Sequence, residues 1–178
     1  MTALEQYLQH LNTIHQSGAA VAETSYYPAL EALLNDVGKT LKPKVHCVIH
    51  IQSKGAGIPD GGLFKANQVQ KSGAPLAGAT PERGALEVKS LAESLDKTIQ
   101  SSQVAKYLSK YGQVLVTNYR AFALVTADAH GKPIVGERYE LAKNEADEAF
   151  KAELLTQAEA YRKLAAQRAQ KYGLPPAA

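Results

Sequence analysis

Two carboxylates and one lysine carry the chemistry that this sequence offers most openly. Asp60 follows a proline in Ile58-Pro59-Asp60, and 27 residues later comes Glu87-Val88-Lys89 inside the apolar run 84–89. Alternate residues of a strand share a face, so Glu87 and Lys89 point one way while Leu86 and Val88 point into a core. Hard divalent cations take oxygen ligands, which Asp60 and Glu87 can supply. Lys89 beside such an ion would orient or deprotonate a water and offset phosphate charge. A Glu-x-Lys pair on an isolated strand is more often a solvated face. Here Pro59 and Gly61-Gly62 shape the backbone around Asp60, and a helix carrying Gln103-x-x-x-Tyr107 follows the strand.

In this order, Pro59-Asp60 and Glu87-Val88-Lys89 resemble the PD-(D/E)xK nuclease superfamily, and Gln103-Val104-Ala105-Lys106-Tyr107 is similar to the QxxxY motif of its RecB/Mrr-like branch. The segment from Glu23 to Leu30 (Glu-Thr-Ser-Tyr-Tyr-Pro-Ala-Leu) resembles a motif near the start of large single-polypeptide restriction-modification enzymes, including those of Type ISP. The resemblance spans residues 20–126. It implies a restriction-endonuclease-like α/β fold with an αβββαβ core. It also implies a Mg²⁺-dependent endonuclease acting on double-stranded DNA, with Mn²⁺ substituting, and products bearing 5′-phosphate and 3′-hydroxyl ends. By that likeness Asp60 and Glu87 hold the metal, the Val88 carbonyl adds an oxygen, and Glu23 is a third acidic ligand. Gln103, Lys106 and Tyr107 would contact DNA. For Glu23, capping of a helix start is a sufficient alternative. For Gln103 and Tyr107, which share a helix face at i and i+4, the alternative is one packed tyrosine and a polar stripe.

The elements that must position these residues follow from periodicity. Residues 3–16 show helical spacing, closed by Ser17-Gly18. A second helix is expected from Thr24 or Ser25, as N-cap, to about Leu41, with Pro28 in its first turn and Leu30, Leu33, Leu34 and Val37 buried. Residues 45–52 alternate as a strand, Gly55-Ala56-Gly57 turns the chain, and residues 58–66 return as a second strand. Residues 67–83, rich in Gly, Pro, Lys and Gln, read as a long mobile loop. Then come the strand bearing Glu87, a helix over 97–111 ending before Gly112, and strands at 113–117 and 120–126 joined by a short turn at Asn118-Tyr119. A further strand at 134–141 follows. Residues 145–172 read as a long amphipathic helix with Phe150, Leu154, Tyr161 and Leu164 on one face. The expected sum is a mixed sheet with helices on both faces.

Composition limits the alternatives. With 178 residues the chain suits one domain with a sizeable core. One cysteine, Cys47, excludes an internal disulfide and a cysteine-based zinc site. Net charge is +3, but residues 39–89 hold eight Lys/Arg against three acids, a basic segment around the acidic site that suits a phosphate backbone. Gly38-Lys39-Thr40 mimics the end of a P-loop, yet position 33 is Leu33 where that motif needs glycine, and the segment closes a helix. His46 and His50 lack a Cys/His/Asp cluster and read as core or surface side chains. No signal peptide or apolar run of about 20 residues is present, so a bacterial cytoplasmic protein without membrane spans is expected. Gly173-Leu174-Pro175-Pro176 reads as a linker toward translocase or methyltransferase domains of a parent polypeptide. The rival readings are a non-catalytic DNA-binding module of the same fold and a docking domain that uses the last helix.

Overall fold

The computed structural model describes residues 2–18, 23–50 and 57–172. Helix α1 spans Ala3–Gln16, opened by a capping box in which the Thr2 hydroxyl accepts from the Glu5 N–H and the Glu5 carboxylate accepts from the Thr2 N–H. A 3₁₀ turn, Glu23–Tyr26, leads into helix α2, Tyr27–Thr40. The expected cap at Thr24 or Ser25 is not used. Tyr26 is the N-cap without a side-chain bond, and Pro28 sits in the first turn as expected. Leu30 and Leu33 are buried, but Val37 is exposed. Gly38 serves packing: a Cβ there would overlap the Val45 carbonyl, so its absence lets α2 lie directly on the first strand.

Six strands follow in chain order across one sheet: β1 Val45–Ile49, β2 Gly61–Lys65, β3 Ala85–Val88, β4 Val114–Thr117, β5 Ala121–Ala127 and β6 Pro133–Glu140. All neighbours are antiparallel except β3 and β4, which run parallel. That parallel pair needs a crossover, supplied by α3, Leu95–Ile99, and α4, Ser102–Tyr111. The single helix expected over 97–111 is thus two. Ser101 breaks it, its hydroxyl capping α4 by accepting from the Val104 N–H at 3.2 Å. Helix α4 ends at Gly112, whose φ of 76° suits glycine.

The sheet has a core on each face. Leu86 and Val88 of β3 pack with Tyr7, Leu11, Leu30 and Tyr119 under α1, α2 and the start of α5 (Glu145–Tyr172). Ala85 packs with Val104, Tyr107, Leu108, Val114 and Val116 under α3 and α4. The molecule is therefore an α/β protein: a six-stranded mixed sheet flanked by helices, with a long C-terminal helix.

Three expectations change. The second strand starts at Gly61, so Asp60 lies just before it rather than within it. Residues 67–83 form a folded loop stitched by Gln68, which is buried. Its amide donates to the Thr80 carbonyl (2.7 Å) and accepts from the N–H groups of Lys65 (3.0 Å) and Glu82 (3.3 Å). The apolar face expected on α5 is exposed at Phe150, Leu154, Tyr161 and Leu164, while Glu148 and Ala152 are the buried positions. Ile51, Gln52, Lys54, the turn at Gly55-Ala56 and the 173–176 segment lie outside the described residues.

Candidate metal centre

The register of the sheet builds the site. Gly61 pairs with Leu86, so one residue further Asp60 stands opposite Glu87. Gly61 has to be glycine: a Cβ there would lie 2.9 Å from the Val48 carbonyl and 3.1 Å from a Leu86 methyl. The Asp60 carboxylate is fixed from two sides. Its Oδ2 accepts from the Val88 N–H at 2.8 Å, and its Oδ1 accepts from the Tyr27 hydroxyl at 3.0 Å. The same hydroxyl lies 3.4 Å from Glu23 Oε1. Tyr27 thus brings the third acid, Glu23, to the edge of the Asp60–Glu87 pair. Sequence reasoning did not assign Tyr27 a role; it is visible in sequence only as part of the Glu23–Leu30 segment.

Glu87 is 1% exposed, so the alternative of a solvated strand face does not hold at this position. Lys89 Nζ lies 2.6 Å from Glu87 Oε1, and no other donor among the described residues reaches that buried oxygen. Glu87 Oε2 accepts from the Gln103 amide at 3.3 Å, and the same amide donates to the Tyr107 hydroxyl at 3.0 Å. The i, i+4 pair on α4 therefore reaches the Glu-x-Lys strand. Tyr107 is 1% exposed and its ring belongs to the core, so it supports Gln103 from beneath rather than facing solvent. Lys106, one residue before it, is exposed.

The charges press on one another. Burial, reinforced by Asp60 and Glu23, pushes the Glu87 carboxyl up to about 7 despite the Lys89 ammonium. Glu23 is raised as well, by burial and then by Asp60. Burial works against the Lys89 charge, but Glu87, Asp60 and Glu23 together hold its ammonium above the ordinary lysine value. Tyr27 is raised strongly, by burial and then by Asp60, so its hydroxyl keeps its proton and remains a donor.

No protein-family model, curated protein or solved structure matches this chain. The site is read from its own side chains. An acidic group that burial and neighbouring carboxylates hold near 7, with one buried oxygen whose contact is the Lys89 ammonium, fits a hard cation by donor chemistry. Among the described residues, no three Asp, Glu, His or Cys side chains form a ready ion cage. Asp60 is engaged by Tyr27 and Val88, and Glu87 by Lys89 and Gln103. No helix of the described residues is long and apolar enough to cross a membrane.

Proposed function

We propose that this chain is a metal-dependent DNA endonuclease domain of the restriction-endonuclease-like type, acting in a restriction-modification or phage-defence enzyme. The observation that carries this reading is the meeting of Asp60 and Glu87 at the β2–β3 junction, with Lys89 against Glu87. Asp60 and Glu87 would hold Mg²⁺ or Mn²⁺, with Glu23 and the Val88 main chain as further oxygens. The bound ion supplies Lewis-acid stabilisation of charge on the scissile phosphate. Lys89, held in its charged form, donates to a phosphate oxygen or orients the attacking water instead of removing its proton. Gln103 and exposed Lys106 face the approaching backbone, and Tyr107 keeps Gln103 in place.

Supercoiled plasmid tests the proposal. The 178-residue chain should nick it slowly in Mg²⁺, without sequence preference, and not in EDTA. Asp60→Asn should abolish nicking while leaving the fold intact. Nicking by Asp60→Asn at the wild-type rate would overturn the assignment. A second reading, a docking module of a larger methyltransferase or translocase polypeptide, is favoured by the exposed Phe150, Leu154, Tyr161 and Leu164 on α5. It predicts that Phe150→Ser with Tyr161→Ser impairs assembly with such domains but not nicking. Deleting α5 is no test of it, because Glu148 and Ala152 are buried in the fold.

A further inference from the structure

Among the described residues, His50 and Tyr119 are the non-glycine residues with positive φ, at 59° and 71°. A bulky side chain in this region is strained, and such strain persists only where surrounding contacts impose it. Both residues reach the main chain of an acid in the carboxylate cluster, His50 by its own main chain where the β1–β2 ladder continues and Tyr119 by its side chain. The His50 N–H donates to the main-chain carbonyl of Asp60 at 2.8 Å, and its ring lies against Tyr27 with centroids 5.0 Å apart. The Tyr119 hydroxyl donates to the main-chain carbonyl of Glu23 at 2.6 Å. Each strained residue grips the backbone of one acid, and Tyr27 stands between the two acids.

Tyr119 is the more telling of the pair. It lies in the turn between β4 and β5, where a left-handed position ordinarily favours Gly or Asn. Instead it buries a whole tyrosine. Its N–H donates to the Thr117 hydroxyl (2.9 Å), its carbonyl accepts from the Tyr7 hydroxyl (3.0 Å), and its ring packs on Tyr26 at 5.0 Å. The phenol therefore ends at the 3₁₀ turn that carries Glu23, 96 residues away in sequence. Gly at position 119 would form the turn without strain, but it would forfeit both the buried ring and the bond from the phenol to Glu23.

We infer that Tyr119 is a positioning residue: from its left-handed turn it clamps the Glu23–Tyr26 turn through the Glu23 carbonyl, and so holds Glu23 beside Tyr27 and Asp60, with His50 as the matching clamp on Asp60. The consequence for metal binding rests on the metal-centre reading above; the clamp itself does not.

Site-resolved hydrogen exchange on the whole chain tests the clamp without any metal. Tyr119→Phe keeps the ring and removes only the phenol oxygen. Amides of residues 23–27 should then exchange about fivefold faster, with the β3–β5 core unchanged. Tyr7→Phe removes a comparable buried bond from the same turn without touching Glu23, and should leave residues 23–27 at the wild-type rate. Unchanged exchange at 23–27 in Tyr119→Phe, or equal acceleration throughout the sheet, would overturn the clamp. So would equal acceleration at 23–27 by Tyr7→Phe. If Tyr119→Phe does not fold, exchange of the wild type decides: residues 23–27 should be protected well above the rate of an unstructured peptide, and exchange at that unprotected rate would overturn the clamp. In parallel, Mn²⁺ titration of the wild type, Tyr119→Phe, Glu23→Gln and the double variant should show Tyr119→Phe weakening uptake severalfold only while Glu23 is present. Absence of Mn²⁺ uptake by the wild type would sink the metal-centre reading and leave the exchange result to decide the clamp.

Discussion

Glu87 shows how one residue can serve chemistry at the expense of the fold. In the folded chain its carboxyl keeps a proton up to about pH 7, whereas its ordinary value is 4.5. Between those values the folded state binds more protons than the unfolded one, so stability falls as pH rises through this window and levels off above it. Glu23, also raised, adds a dependence of the same sign. Glu87→Gln should therefore be more stable than wild type at pH 8, by about 1–3 kcal/mol, with a flatter profile between pH 5 and 7 in urea melts. The same variant should lose plasmid nicking. Lys89→Met should keep the fold and cut nicking by about 10²–10³-fold, read from single-turnover rates. Glu87, Lys89 and Gln103 were legible in the sequence because a two-residue strand period and an i, i+4 helix spacing are local rules, whereas Asp60 stood out by its Pro59-Asp60-Gly61 setting and lies just before the strand expected to carry it. The part played by Tyr27 was not legible, because its hydroxyl meets Asp60 only after a helix and a strand 33 positions apart pack together.

At the scale of elements, hydrophobic periodicity located the strands and helices around the site but not the 3₁₀ turn that carries Glu23, and two of the errors fall where a polar side chain overrides it. Ser101 caps a new helix inside a span that reads as continuous. Gln68 turns a Gly- and Pro-rich stretch into a folded loop by supplying three hydrogen bonds from one side chain, which composition does not reveal. Gln68→Ala leaves the Thr80 carbonyl and the Lys65 and Glu82 N–H groups without that partner, and should cost about 2–3 kcal/mol in equilibrium urea unfolding. Residues 145–172 are helical as the pattern requires, but the apolar face of Phe150, Leu154, Tyr161 and Leu164 is exposed instead of packed. Burial is set by where α5 crosses α1, and that crossing selects Ala152 and Glu148.

For the whole molecule, the ion cluster at that crossing joins three distant parts of the chain. Arg120 Nε donates to Glu148 Oε2 at 2.7 Å, and His15 Nδ1 lies 3.7 Å from Glu148 Oε1. Glu148 is 1% exposed and Arg120 9%. Removing one partner strands a buried charge, so Glu148→Ala should destabilise the fold by about 3–5 kcal/mol, seen as a lowered thermal midpoint. By contrast, Phe150→Ser, on the exposed side of the same helix, should leave the midpoint nearly unchanged. Sequence reading placed both residues on one amphipathic helix without separating these outcomes, since no local pattern tells which turn of α5 meets Arg120.

The outer margin of β1 is closed by side chains instead of by another strand. The Asn35 amide both accepts from the Cys47 N–H and donates to the Cys47 carbonyl, each at 3.0 Å, and Glu31 accepts from the Ile49 N–H at 3.1 Å. At the opposite margin, β6 pairs with β5 and with no other strand among the described residues. Growth of a filament by sheet addition needs two receptive margins on every unit, one to attach and one to be attached to. Among the described residues one margin is receptive, so strand-to-strand addition through these edges would stop at a pair. Asn35 is thereby a chain terminator against fibrils as well as a brace for α2.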